Sequence, residues 1–440
     1  MTLQFLGSAF LSAWLGTGSW QPIESLQLSS VDLRVAWESP WLAQLSAPDP
    51  TAEAIVNEYL EGLSAAGFSR EAQGVWLATG HTPMAQSQGD QRFPAASLTK
   101  IATTLAALST WGPEHSFETL VGWRGQLADG MIQGDLIIQG NADPLFVWEE
   151  AIALGNALQR LGVRRVTGDL VIVGSFTMNF QTDTLTAGQL LQQAMDTRLW
   201  SSEVWQQYQT MPPTTAQPQV QIEGQVQVAN PERLNQVSGW LVRHRSLPLA
   251  ALLKAMNIYS NNAMAELIAD SLGGPSAVIQ TAEALARVSA DEIELINGSG
   301  LGEQNQISAR AVVAMLQAIQ AELQPQDLTI ADLFPIAGAD GGTLDARKLP
   351  PHAALKTGSL ASVSALAGAF PTEQKGIVWF ALINYGSGLE ELRTRQDRLL
   401  AALEQRWGRA EAVPPGLKTT IQIGQGDYQL GDPRRNQDML

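Results

Sequence analysis

Three short polar motifs, each present once and far from the next, constrain this chain more than any bulk property. Ser97-Leu98-Thr99-Lys100 opens an apolar stretch, Thr99 to Leu108, whose pattern predicts a helix buried on most sides. Ser260-Asn261-Asn262 interrupts the helical periodicity of Leu247 to Leu272, and two Asn after a Ser favour a turn there. Lys356-Thr357-Gly358 begins a strand series that continues through Val363 to Phe370 and Ile377 to Asn384. Taken singly, each motif has an ordinary reading as a helix N-cap, an inter-helix turn or a strand entry. Their ordered coincidence does not, and two of the chain's six lysines fall inside them.

Bulk properties narrow the rest. With 440 residues and 45% hydrophobic content the chain can form two or three domains with sizeable cores. A net charge of −16 argues against nucleic acid and against docking on an anionic membrane, so membrane association is at most peripheral. The absence of cysteine excludes disulfides and thiolate chemistry. Four scattered histidines, His81, His115, His244 and His352, lack ligand spacing, so no metal or other cofactor is expected. Leu3 to Leu15 is apolar and followed by small residues, as in a secretory h-region, but no Lys or Arg precedes it. Residues 1–22 therefore read equally as a signal or as an N-terminal hydrophobic helix, too short for a membrane span.

Periodicity suggests an α+β architecture with one insertion. Helical patterns at Ala52 to Ala65, Ser308 to Leu323 (Ser308 as N-cap) and Leu389 to Trp407 accompany the motif helices and the strand series. Between Trp111 and Val237 the character changes to short strand-like runs, Glu118 to Trp123, Asp135 to Gln139 and Asp169 to Val173, around a helix from Trp148 to Leu161. This predicts a main domain split into 23–110 and 238–410, an inserted mixed α/β domain over 111–237, and an irregular tail over 411–440.

The three motifs in this order resemble the signature of the penicilloyl serine transferases. The likeness sharpens in the surrounding blocks. Phe93-Pro-Ala-Ala-Ser97-Leu-Thr-Lys100, Trp111-Gly-Pro-Glu-His-Ser-Phe-Glu-Thr119, Gly140-Asn-Ala-Asp-Pro144, Gly168-Asp-Leu-Val171, Asn297-Gly-Ser-Gly-Leu301 and Ala337-Gly-Ala-Asp-Gly-Gly-Thr343 look like landmarks of one family. These are the low-molecular-mass class C penicillin-binding proteins, the D-alanyl-D-alanine carboxypeptidase/endopeptidases. The resemblance runs from about residue 50 to 405. It implies a transpeptidase/β-lactamase-like catalytic domain, an antiparallel sheet flanked by helices. It also implies peptidoglycan stem peptides as substrate, β-lactams as covalent inhibitors, and an exported, periplasmic or cell-envelope location.

Acyl transfer from a D-Ala-D-Ala amide needs a nucleophile, a base, an oxyanion hole and a hold on the terminal carboxylate. Ser97, at a helix start, supplies the hydroxyl, and its own N–H can face the oxyanion. Lys100, at i+3 on the same helical face, is the expected base once burial and a nearby cation depress its pKa. Lys356 is expected to be that cation and to attract the substrate carboxylate. Ser260 would relay a proton from Lys100 to the leaving amine, and Asn262 would bond the substrate backbone. Thr357 would offer its hydroxyl to the carboxylate, Gly358 would let the substrate lie against the strand, and Ser359 would give the second oxyanion N–H.

Two departures from the family stand out. The stretch Val171-Ile-Val-Gly-Ser-Phe176 lacks the acidic residue that relatives carry to meet the substrate's diamino acid, leaving Asp143 as the candidate replacement. The distance from Ser97 to Ser260 is short for two complete insertions, so one is expected whole and the second reduced or missing. Two competing functions share the implied fold: a β-lactamase, for which no deacylating glutamate is evident by motif, and a non-catalytic cell-wall binding or sensor protein, which intact motifs disfavour.

Overall fold

The structure is a computed structural model that describes residues 48–440; the signal-or-helix reading of 1–22 and the start of the segment 23–110 lie outside it. A five-stranded antiparallel sheet carries the third motif on its edge. Its order is Ala354–Leu360, Val363–Thr372, Gly376–Tyr385, Gln73–Thr79, Thr82–Ser87. Alternation along the second strand, Val363–Thr372, sends Val363, Ala365, Ala367 and Ala369 into one core and Leu366 and Phe370 into another. The small alanine face lies against the helical layer that holds the first two motifs. The Leu/Phe face packs on helices Pro50–Ala65 and Leu389–Trp407. The first of these begins at Asp49, whose carboxylate accepts from the N–H groups of Thr51 and Ala52, and buries Ala52, Val56, Tyr59, Leu60 and Leu63 along one stripe.

The helical layer is built around Thr99–Trp111. Every residue from Thr99 to Leu108 is buried, as the dense apolar pattern predicts. Helices Leu249–Tyr259, Asn262–Ser271, Pro275–Ala286 and Ala309–Leu323 surround it, the last capped by Ser308 Oγ accepting from Ala311 N–H. Among the described residues no helix is long and apolar enough to cross a membrane.

A second, eight-stranded sheet has its own core. The hairpin Glu118–Ala128/Met131–Asn141 is antiparallel, and Met131–Asn141 then pairs in parallel with Leu170–Ser175, which pairs in parallel with Val226–Ala229. Helices Trp148–Arg160 and Thr184–Met195 supply the crossovers that parallel pairing requires. Two sequence expectations change here. Gly239–Arg245, placed beyond the insertion's end at 237, pairs with Glu118–Ala128 and belongs to this sheet. The tail 411–440, read as irregular, ends in the strand Asn436–Asp438, which adds to Gly239–Arg245 as an edge. A three-residue strand in polar sequence carries no detectable periodicity, and so it escaped the pattern.

Candidate active site

The three motifs converge. Ser97 sits in a tight turn, Ala96–Leu98, directly before the buried helix, and is itself half-buried. Ala96 holds a left-handed φ of 47°, costly for a residue with a side chain, which aims the following serine out of the helix axis. Ser260 ends helix Leu249–Tyr259 in the left-handed conformation (φ 52°), and Asn261 starts the next helix by accepting from Met264 N–H. The expected turn is therefore a double cap. It puts Ser260 and Asn262 at the mouth of the site, where Asn262 is exposed.

Lys100 is fully buried, and its Nζ makes three contacts: Ser97 Oγ at 3.0 Å, Asn262 Oδ1 at 2.8 Å and the Ser299 carbonyl at 2.8 Å. Burial lowers its pKa to about 7, against the opposing charge of Glu266. A neutral amine has two hydrogens and one lone pair. Asn262 Oδ1 and the Ser299 carbonyl can only accept, so they take both hydrogens. The lone pair is left facing the Ser97 hydroxyl.

Lys356 is also fully buried; its Nζ donates to Ser260 Oγ at 3.0 Å and to the Thr357 carbonyl at 2.8 Å. Its pKa falls well below the ordinary lysine value through burial, and further through the charge of Lys100. Three features of this geometry bear on the expected roles. Ser260 bonds to Lys356, not to Lys100. Burial is the largest cause of the depression at both lysines, and the charge of Lys100 adds to it at Lys356. Lys356, expected to attract the substrate carboxylate, has no exposed surface, and its Nζ is bonded to two internal oxygens.

Gly358 is also reassigned. A Cβ built there would lie 2.9 Å from the Ala95 carbonyl oxygen and 3.1 Å from Ser97 N. The glycine is needed so that the Lys356 strand can press against the nucleophile turn, and not only to admit a ligand. Thr357 and Ser359 occupy the opposite strand face; Thr357 is buried, and Ser359 is exposed with its Oγ accepting from Arg393 Nη2 at 3.0 Å.

Sequence reasoning missed two contributors. Glu266 stands at i+4 from Asn262, and its carboxylate accepts from Gly298 N–H (2.9 Å) and Ser299 N–H (3.2 Å), holding the Ser299 carbonyl on Lys100. Gly300, at φ 83°, lets the same loop close on the turn, since a Cβ there would meet the Ala96 oxygen at 1.9 Å. An acid one helical turn after the second motif was the available signal. Asp143, the candidate for the missing acid, is buried in the second sheet's core region beside Glu150 and His244, and offers no surface to a substrate.

The chain is similar to known proteins over most of its length. It is 34% identical over 177 residues to "Carboxypeptidase DacB" of Mycolicibacterium smegmatis, covering 36% of this chain and 38% of the relative. It is 30% identical over 209 residues to the D-alanyl-D-alanine carboxypeptidase of an Actinomadura species, covering 43% and 38%. The chain thus spans well under half the length of these two curated relatives. Among solved structures, Bd3459, a predatory peptidoglycan endopeptidase from Bdellovibrio bacteriovorus, shares the fold with a TM-score of 0.66 at 18% identity, over 83% of this chain and 98% of that one. The family model described as D-Ala-D-Ala carboxypeptidase 3 (S13) matches residues 63–188 and 188–406. With its serine–lysine pair set at the junction of helical layer and sheet edge, this chain belongs to the D-Ala-D-Ala carboxypeptidase 3 (S13) family.

Proposed function

We propose that the chain is a serine-type DD-peptidase, a carboxypeptidase, endopeptidase or both, cleaving peptidoglycan stem peptides in the cell envelope through an acyl-enzyme on Ser97. The observation that carries this reading is the buried Lys100 Nζ, 3.0 Å from Ser97 Oγ and held there by two acceptor-only partners. In this reading Lys100 takes the Ser97 proton as Oγ attacks the carbonyl carbon. The N–H groups of Ser97 and Ser359 receive the oxyanion; Gly358 supports this by bringing the two peptides side by side. As the C–N bond breaks, Ser260 gives its proton to the leaving amine and recovers one from the Lys356 ammonium group, whose Nζ already donates to Ser260 Oγ at 3.0 Å. Water then attacks the ester with the same groups in reverse, restoring both lysines. Asn262, exposed at the mouth, bonds the substrate backbone in exchange for part of its hold on Lys100.

The same reading treats 23–110 and 238–410 as a split catalytic domain and the segment from 111 as a single insertion, whose end we move from 237 to about 245 on the strand pairing. β-Lactams, as cyclic mimics of the substrate, should acylate Ser97. Incubating the protein with purified muropeptides and identifying products by mass tests the proposal. Release of terminal D-alanine or cleavage of D-Ala cross-links is expected, and intact muropeptides together with no penicillin adduct would overturn it.

A further inference from the structure

The burial of Lys356 leaves the substrate's terminal carboxylate without an evident cation. The opposite face of the same strand supplies one. Along Ala354–Leu360 side chains alternate, so Lys356 and Gly358 face the nucleophile turn while Thr357 and Ser359 share the other side. There a cavity of about 200 Å³ opens, lined by Thr343, Arg347, Thr357, Ser359, Arg393 and Asp397. Two guanidinium groups reach it. Arg347 is nearly buried and held by Asp397 at 2.7 Å and Gln396 at 3.0 Å. Arg393, on helix Leu389–Trp407, is about a third exposed and bonds Ser359 Oγ at 3.0 Å. Its one carboxylate partner among the described residues, Glu390 at 2.7 Å, is 85% exposed. Such an exposed pair is weak and readily exchanged.

We propose that Arg393 is the anchor for the carboxylate of the substrate's leaving group, acting with the Thr357 and Ser359 hydroxyls in this cavity. The inference rests on the DD-peptidase reading, which requires a leaving group with a carboxylate next to the scissile nitrogen. Arg393 swings from Glu390 to that carboxylate, to which a guanidinium can offer two parallel N–H groups. A cavity of this size has room for a carboxylate with a short side chain beside it, which fits a terminal D-alanine. The same anchor would serve an endopeptidase substrate whose leaving amine also lies beside a carboxylate. Lys356, freed from this duty, remains available for proton return through Ser260.

The test compares a peptide ending in D-Ala-D-Ala carboxylate with the same peptide as its C-terminal amide, on the wild type, Arg393→Gln and Arg393→Lys. The wild type is expected to prefer the carboxylate by roughly 10–100-fold in kcat/KM, the worth of one charge-assisted contact. In Arg393→Gln that preference should shrink to about threefold or less, with kcat/KM for the carboxylate peptide falling, through KM, far more than that for the amide. Arg393→Lys should fall between. A preference that survives intact in Arg393→Gln, or an equal loss on both peptides, overturns the assignment of Arg393. Failure of the wild type to turn over either peptide or to be labelled by penicillin would instead overturn the DD-peptidase reading beneath it.

Discussion

The cleft and the second sheet each hold a cluster of buried ionisable side chains with perturbed pKa values, and of these two only the first has the makings of a catalytic centre. In the cleft, Lys100 and Lys356 are stripped of solvent and their pKa values fall. In the second sheet's unit, Asp143 and Glu150 are equally buried, and burial pushes them up to about 6 and about 7. His244, between them, is driven down to about 3 by burial and then by Arg435, so it is neutral and its approaches of 3.8 and 4.0 Å to Glu150 and Asp143 are not ion pairs. A search for perturbed pKa values alone would rank the two together. They differ in what surrounds them. The lysines contact two serine hydroxyls, and Ser97, Ser260 and Asn262 keep a path to solvent. The acidic cluster is sealed by the C-terminal tail, whose Arg435 pairs with Glu150 and whose Asn436 bonds His244 at 3.0 Å. It leaves Glu150 Oε2, His244 Nε2 and Arg435 Nη1 without protein partners, a costly arrangement with no nucleophile in it. A perturbed pKa marks burial; reach to a nucleophile and to solvent marks chemistry.

The largest test of this contrast is substitution at both centres. Ser97→Ala is expected to abolish penicillin labelling, and Lys100→Arg to lower acylation by about 10³-fold or more, because guanidinium stays protonated and cannot act as base. Lys356→Arg keeps a charged donor beside Ser260 and should retain more activity than Lys100→Arg. Asp143→Asn should leave turnover, and the ratio of rates on free-amine and acetylated diamino-acid peptides, unchanged. A strong effect of Asp143→Asn on that ratio, read by kcat/KM on the two peptides, would break the comparison.

Gly358→Ala comes next. The added methyl presses on the Ala95 oxygen and on Ser97 N, shifting the nucleophile by a fraction of an ångström. Displacements on this scale cost up to about 100-fold in rate. A fall in kcat with thermal stability nearly unchanged is expected, and an active Gly358→Ala enzyme would show that the turn yields.

The three motifs, their order and the pairing of Ser97 with Lys100 were legible in the sequence because each rests on local spacing. A serine and a lysine at i, i+3 share a helix face whatever the rest of the chain does. Which lysine meets Ser260, and which face of the strand Gly358 serves, depends on how the helical layer docks on the sheet edge, and no local pattern carries that. The same holds for the Ser299 carbonyl, a backbone atom with no side-chain signature, and for Asn436, whose strand exists only through its pairing with Gly239–Arg245.

A smaller effect separates the two forces acting on Lys100. Activity needs its neutral form, so kcat/KM should rise with pH and level off above about 7. The Glu266 charge raises the Lys100 pKa, and removing that charge lets it fall. In Glu266→Gln the acidic limb of the kcat/KM profile is therefore expected to move to lower pH, with the amide oxygen still able to accept from the Ser299 loop. A limb that moves upward would mean that Glu266 acts through loop position and not through charge.

The smallest expected effect lies in the acidic cluster and concerns stability alone. Glu150 has a folded-state pKa of about 7 against an ordinary value of 4.5. Between those two values the folded state holds more protons than the unfolded one, so this group's contribution to stability declines as pH rises through the window. Its burial cost is fully expressed above pH 7 and absent below 4.5. Glu150→Gln mimics the protonated acid at every pH. Relative to wild type, its Tm should be nearly unchanged at pH 4.5 and higher at pH 8, each kcal/mol appearing as about 2–4 °C. His244 titrates in the opposite sense, since its lowered pKa removes stability as pH falls from 6.5 toward 3. Because His244 is present in both proteins, its effect largely cancels in the difference between them. A Glu150→Gln protein less stable than wild type at pH 8 would mean that the ion pair with Arg435 outweighs desolvation. The tail would then be an electrostatic clasp on the second sheet, and not a cover over a reluctant acid.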